Sequence, residues 1–348
     1  MESLFQEHRA RAARLSRLLA LPATGILAGH AAWAEMPQGQ PNMLTPASTP
    51  AHTIANLSLF VLLITGSIFV VVGGLLAFAL VRYRARPQED TSEPPQIYGS
   101  TQVELAWTVI PILIVVVLFL TTARIIFAVQ DAPKPEDALD VTVVGHQFWW
   151  EFRYPKLGIV TANELHVPVR TATYLHLLSA DVDHSFWVPQ LAGKTDLIPN
   201  HPNETWIQPE RTGLYLGQCA QFCGVEHAQM LLRVYVDTPS EFAAWVEHQQ
   251  RPGVQDASVA AGRHVFETEA CTNCHAVAGT AAIGTFGPDL THLMSRDTLA
   301  SGIVPNTPEN LRKWIHDPND LKPWVLMPDM QLSDQQVDEL VAYLSTLR

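Results

Sequence analysis

Two long stretches of the chain, residues 57–81 and 105–129, are almost unbroken in apolar and small side chains, and beyond them the spacing of apolar positions changes twice. At ~1.5 Å rise per residue, either stretch is long enough as a helix to cross a hydrocarbon core of ~30 Å. Together they predict a two-helix transmembrane hairpin over residues 50–130. From Asp140 the apolar residues fall in short β-rich runs at 141–144, 148–154, 164–169, 173–178, 205–208, 213–217 and 230–236, divided by prolines and glycines. Such spacing predicts an antiparallel β-sandwich or barrel of about 100 residues, here residues 138–240. A polar stretch containing Pro252-Gly253, residues 248–256, reads as a linker. Helical periodicity then takes over, with helices expected at 259–268, 308–315 and 333–347. The last opens on a Ser333…Gln336 capping box and carries Val337, Leu340, Val341, Leu344 and Leu347 at helical spacing. The chain is therefore expected to be multi-domain, with an all-α domain at 257–348.

Charge orients this outline. Arg82, Arg84 and Arg86 follow the first span directly, and short-loop cations stay on the cytoplasmic side, so both outer ends of the hairpin face the opposite way. The first 34 residues run from Arg9, Arg11, Arg14 and Arg17 through an apolar segment to Ala32-Trp33-Ala34, the order of a secretory signal peptide cleaved after Ala34. The competing reading is an uncleaved third span, which the short apolar run broken by Pro22 disfavours. Residues 131–348 hold 14 Lys and Arg against 27 Asp and Glu, whereas the whole chain has net charge −12. An acidic soluble part disfavours nucleic acid and would steer a basic protein partner. Ordinary solubilising charge explains it equally well. Glu104, at the cytoplasmic boundary of the second span, reads either as a solvated helix end or as part of a proton path.

All four cysteines fall in two metal-binding signatures: Cys219-Ala-Gln221-Phe-Cys223-Gly-Val-Glu-His227-Ala-Gln-Met230, with His184 upstream, and Cys271-Thr-Asn-Cys274-His275. Two thiolates, two imidazoles and a thioether form a soft donor set that suits copper. A closed structural zinc site would have no use for Met230, and a mononuclear copper site uses one thiolate, so the second cysteine argues for a second copper ion. A Cys219–Cys223 disulfide is the structural alternative in an exported protein, and it leaves His184, His227 and Met230 without purpose. The second signature is that of covalent haem c attachment, with His275 as an axial ligand.

These motifs carry a resemblance. Glu104-Leu-Ala-Trp-Thr-Val-Ile-Pro111, Gly145-His-Gln-Phe-Trp-Trp150, Asp181-Val-Asp-His184-Ser-Phe-Trp-Val-Pro189 and the Cys219–Met230 run resemble cytochrome c oxidase subunit II over about residues 50–240. Residues 257–348, with Gly287-Pro288-Asp-Leu, resemble a class I cytochrome c domain. The resemblance implies a cupredoxin-like β-sandwich or barrel holding a binuclear copper centre, CuA, bridged by Cys219 and Cys223 and ligated by His184, His227, Met230 and the carbonyl of Gln221. It implies Met327, which precedes Pro328, as the second axial haem ligand, with Met330 as the competitor and Met294 left to core packing. Phe148, Trp149 and Trp150 stand where electrons would arrive, although core packing is expected for at least one of them, and Glu104 at the mouth of a proton path. Two departures matter: Gln221 replaces a glutamate that also binds magnesium at the subunit I interface, and Phe148 replaces a tryptophan. The implied partners are oxidase subunits I and III, an external cytochrome c or other donor, and the lipid bilayer. The implied place is a bacterial inner (plasma) membrane crossed twice, with termini and soluble domains on the periplasmic face. The implied function is electron passage from cytochrome c, including the fused haem c, through CuA to the haem of subunit I, coupled to proton translocation. A membrane-anchored copper-handling protein, or an electron carrier outside oxygen reduction, is the alternative.

Overall fold

The computed structural model describes residues 42–84, 96, 98–253 and 256–348; the expected signal peptide at 1–34 and Arg86 lie outside the described residues. The two apolar stretches form helices α1 (Thr49–Arg82) and α2 (Thr101–Gln130), each longer than the ~20 residues a span requires. Their side chains are mostly exposed, as expected of helices whose solvent is lipid. The first turn of α1 and the last turn of α2 meet the same β domain. Pro50 and Ala51 are buried, the Thr49 amide donates to the Gln208 carbonyl, and Trp206 Nε1 donates to the carbonyl of Val129 at 2.8 Å.

Ten strands build that domain: β1 (Leu139–His146), β2 (Trp149–Tyr154), β3 (Ile159–Ala162), β4 (Glu164–Pro168), β5 (Thr173–Ser179), β6 (His184–Trp187), β7 (Thr195–Leu197), β8 (Asn203–Ile207), β9 (Gly213–Cys219) and β10 (Leu231–Asp237). They form two five-stranded sheets, β3-β2-β1-β5-β8 and β4-β10-β9-β6-β7. The sandwich is mixed rather than antiparallel, because β1 runs parallel to β5 and β4 parallel to β10. Alternating burial along β10 turns one face of each strand inward, where Val143, Phe152, Leu165, Leu177, Leu232 and Val234 form the core.

A helix missing from the sequence reading, α3 (Pro239–Gln249), leaves the sandwich through a capping box of Thr238 and Glu241. The expected linker is therefore shorter than 248–256, since His248 and Gln249 are helical. The last module contains α4 (Ala260–Thr268), a two-strand ribbon β11 (Thr298–Leu299) and β12 (Val304–Pro305), α5 (Pro308–His316), the short α6 (Pro318–Leu321) and α7 (Asp334–Leu344). Helices α4 and α7 cross at Gly262, where an added Cβ would lie 1.9 Å from the Glu339 carbonyl oxygen. That approach lets Val265 and Phe266 join Leu340, Tyr343 and Leu344 in a core separate from that of the sandwich.

Candidate metal centre and haem pocket

Strand β6 carries His184 inward, the end of β9 presents Cys219, and the loop returning to β10 supplies Cys223, His227 and Met230. The Cys219 and Cys223 sulfurs are 3.9 Å apart, far beyond the ~2.05 Å of a disulfide. Two thiolates each ~2.3 Å from a shared ion at a tetrahedral angle would be separated by ~3.8 Å, so the spacing fits bridging. His184 Nδ1 is 4.0 Å from the Cys219 sulfur, His227 Nδ1 3.7 Å from that of Cys223, and Met230 Sδ 3.9 Å from the latter. The Gln221 carbonyl lies 3.1 Å from the Cys219 sulfur, while the Gln221 side chain is exposed. His184, Cys219 and Cys223 offer ligand atoms within 4.8 Å of one another. All six predicted donors thus converge on one pocket.

The pocket is electrostatically prepared. The neighbouring Cys223 thiol, together with His184 and main-chain groups, pulls Cys219 far below the usual thiol range, whereas Cys223 is pushed up by the Cys219 thiolate and by burial. One sulfur readily ionises, and the second proton is held until cationic charge arrives. Burial would lower the His184 pKa, but the Asp181 carboxylate at 2.7 Å from Nε2 and the Cys219 sulfur outweigh it and raise it. Asp181 also accepts from the Gln147 and Val182 amides. It thereby fixes the imidazole with Nδ1 toward the sulfurs, the outer-shell arrangement typical of metal-binding histidines. Gln147 Nε2 donates to the Cys223 carbonyl at 2.6 Å, tying the ligand loop to β1.

A cavity of about 430 Å³ opens against the second signature, lined by Cys271, Cys274, His275, Met327 and Met330. His275 Nδ1 donates to the Pro288 carbonyl at 2.7 Å, which leaves Nε2 as the ring nitrogen available to a metal; burial lowers the His275 pKa. Gly287 packs on that ring, since an added Cβ would lie 2.5 Å from Cε1. Both candidate methionines line the cavity, and Met294 packs in the α-helical core as expected. The paired cysteines, His275 and two methionines on the wall of one mostly apolar cavity fit a haem.

Of the three aromatic candidates, Phe148 and Trp149 line this same cavity. Trp150 is fully buried, and its Nε1 donates to the Met230 carbonyl at 3.4 Å, which is a packing role. Phe148 is buried as well, its ring against Gly224, where an added Cβ would lie 2.9 Å from Cζ. Glu104 sits in the first turn of α2, remote in sequence and element from either pocket.

Comparison with known families matches residues 36–125 to the transmembrane domain of cytochrome c oxidase subunit II, residues 156–236 to its periplasmic domain and residues 259–348 to cytochrome c. Cytochrome c oxidase subunit 2 of Alkalihalophilus pseudofirmus is 35% identical over 320 residues, which cover 89% of this chain and 92% of that protein. The chain belongs to the cytochrome c oxidase subunit II family. The corresponding protein of Bacillus sp. PS3 is 34% identical over 286 residues, covering 76% of this chain and 80% of the relative. A solved periplasmic domain of subunit II from Bradyrhizobium japonicum shares 32% identity, covers 34% of this chain and 97% of that one, and has a TM-score of 0.33. This subunit of a haem–copper oxidase, an oxidoreductase complex, therefore joins a membrane anchor to a periplasmic copper domain and a cytochrome c domain.

The sequence reading missed the haem-domain contacts with the copper domain. Glu164, buried in β4, accepts from the Asp297 and Thr298 amides at 3.0 Å and from Thr298 Oγ1 at 2.9 Å. Tyr235 donates to the Asp297 carboxylate. In the opposite sense, Lys322 inserts its ammonium into the copper domain, with burial pushing its pKa down to about 8 against the Glu226 carboxylate, which raises it. In the sequence Glu164 and Lys322 read only as charged residues, and neither names its partner.

Proposed function

We propose that this chain carries electrons from an external donor through its haem domain to its copper domain and on to oxidase subunit I. His184, Cys219, Cys223, His227, Met230 and the Gln221 carbonyl would hold the copper; Cys271 and Cys274 would attach the haem, and His275 and Met327 would ligate its iron. When bound, copper on these soft donors and haem c would each supply one-electron exchange with little rearrangement of the ligands. The protein contributes the rigidity: β6, β9 and the loop into β10 fix the soft donors, Asp181 orients His184, and Pro288 orients His275. The observation that carries the reading is the convergence of six donors in one pocket beside a cavity that is lined by Cys271, Cys274 and His275 and shares Phe148 and Trp149 with the copper domain.

The hairpin crosses the membrane twice with its outer ends at the periplasmic face, supported by the shared packing of both helix ends on the β domain. Subunits I and III are the membrane partners, an external cytochrome c is the donor, and Glu104 stands at the cytoplasmic side as a proton-path candidate. A magnesium ion at the subunit I interface would meet the neutral Gln221 amide in place of a carboxylate, so its hold is weakened. The quinol oxidase subunit 2 of Bacillus subtilis is also related, 34% identical over 217 residues, but the complete soft-donor set favours copper here. The test is electron paramagnetic resonance with optical spectroscopy on the purified, oxidised complex. A mixed-valence copper signal together with a haem c band on reduction is expected; absence of the copper signal in fully metallated protein overturns the assignment.

A further inference from the structure

We propose that Lys322 is a positioning residue, a buried cation from the haem domain that pins the copper-domain backbone at Phe148 and Gln229 and thereby sets how the haem cavity faces the copper loop. The inference rests on the functional reading above and adds to it a device that controls the internal transfer.

Lys322 is 1% exposed. Its Nζ donates to the Phe148 carbonyl at 2.8 Å, to the Gln229 carbonyl at 3.0 Å and to Ser301 Oγ at 3.3 Å. An ammonium has three N–H donors, and all three are engaged. Ser301 Oγ itself donates to the Phe148 carbonyl at 2.8 Å, so this one oxygen is held twice by the haem domain. The two pinned carbonyls belong to consequential places: Gln229 directly precedes Met230, and the Phe148 ring lies between the haem cavity and Gly224, next to Cys223. Lys322 lines that cavity as well. One side chain therefore spans the haem pocket, the aromatic wall and the copper-ligand loop.

A buried charge is costly unless its hydrogen bonds are complete, and a neutral residue would fill the space more cheaply. Two consequences justify the charge. Charge-assisted bonds fix relative placement, and electron tunnelling slows as the separation of the two centres grows. A fixed positive charge beside both pockets also favours their reduced forms, because the low local dielectric strengthens its field. Glu164 on the opposite side of the contact makes the same kind of bond with the roles reversed, a copper-domain carboxylate holding haem-domain amides. In the step so positioned, one electron leaves the haem side, which is oxidised, and reduces the copper side; the external donor replaces it.

The test uses the full oxidase complex carrying Lys322→Met, which keeps chain length and removes the charge, and separately Ser301→Ala, which keeps the charge and removes one tether. Haem-to-copper electron transfer is followed optically after rapid photoreduction, midpoint potentials are titrated at mildly acid pH where the ammonium is protonated, and hydrogen exchange is read over residues 297–303. For Lys322→Met, severalfold slower transfer, lower potentials at both centres and faster exchange at the contact are expected. For Ser301→Ala, a smaller slowing with unchanged potentials is expected. Unaltered transfer and potentials in Lys322→Met, with both metal signals intact, overturn the positioning role and leave the functional reading standing. If Lys322→Met does not assemble, Lys322→Gln, which removes the charge and keeps an amide donor, is read in its place: parental transfer and potentials overturn the proposal. A parent complex without copper or haem signals overturns the functional reading and the proposal with it.

Discussion

At the residue scale, both pocket histidines have a neighbour that fixes the ring: Asp181 for His184 and the Pro288 carbonyl for His275. Cys219 and Cys223 place two sulfurs 3.9 Å apart, and the second is the one a mononuclear site would not use. Cys223→Ser should therefore abolish the mixed-valence copper signal while leaving the haem c absorbance, since the haem cavity draws on other residues; electron paramagnetic resonance and pyridine haemochrome spectra check both halves. Methionine ligation raises haem potential, so Met327→Leu should lower the midpoint potential more than Met330→Leu. The reverse order in a redox titration would give Met330 the axial place. Both methionines stand at the cavity, and the proline after Met327 is what singles it out in the sequence.

At the scale of elements, close approach and charge decide the assembly. Gly262 is the point where α4 and α7 touch, and Gly262→Ala would drive a methyl group into the Glu339 carbonyl. Overpacking of this kind costs about 1–3 kcal/mol or more, so the haem domain of that variant should melt earlier by calorimetry while the copper signal persists. At the opening of β1, burial would raise the pKa of Asp140, but Lys134, Lys156 and His176 outweigh it and hold it at about 2, below its ordinary 3.8. A carboxyl whose folded pKa is depressed adds stability that is complete above the unfolded value and is lost as pH falls through the folded one. Asp140→Asn should therefore lower the melting temperature of the copper domain at neutral pH, and the difference from the parent should shrink between about pH 4 and 2. A constant difference across that window would show that Asp140 acts through packing instead.

At the scale of the whole molecule, the chain is an electron relay whose two stations have separate cores and a charged seam. Tethering replaces diffusive encounter by a high effective concentration of donor. A chain ending after Gln250 should keep its copper signal, because the sandwich core uses nothing beyond α3, yet it should depend on added cytochrome c for turnover. That dependence should be salt-sensitive, since the soluble part is acidic and an external basic donor is steered by long-range charge. Oxygen consumption measured against ionic strength, for parent and truncated complexes, separates the two routes.

What the sequence determined by itself was whatever is local: membrane helices from unbroken apolar runs, most strands from alternating runs, the α7 cap from Ser333 and Gln336, and both ligand sets from closely spaced cysteines, histidines and methionine. Strands β3, β6 and β7 escaped because they are only three or four residues long, too short for periodicity to register. The parallel pairing of β1 with β5 and of β4 with β10 was invisible as well, since alternation specifies which face is buried and not the direction of the neighbour. Only the tertiary structure decided that Phe148 is buried at the wall of the haem-domain cavity and that Lys322 and Glu164 cross between domains. Those facts depend on groups brought together from more than a hundred residues apart, and a buried charge declares in the sequence only its type. Its meaning comes from the partner that folding places beside it.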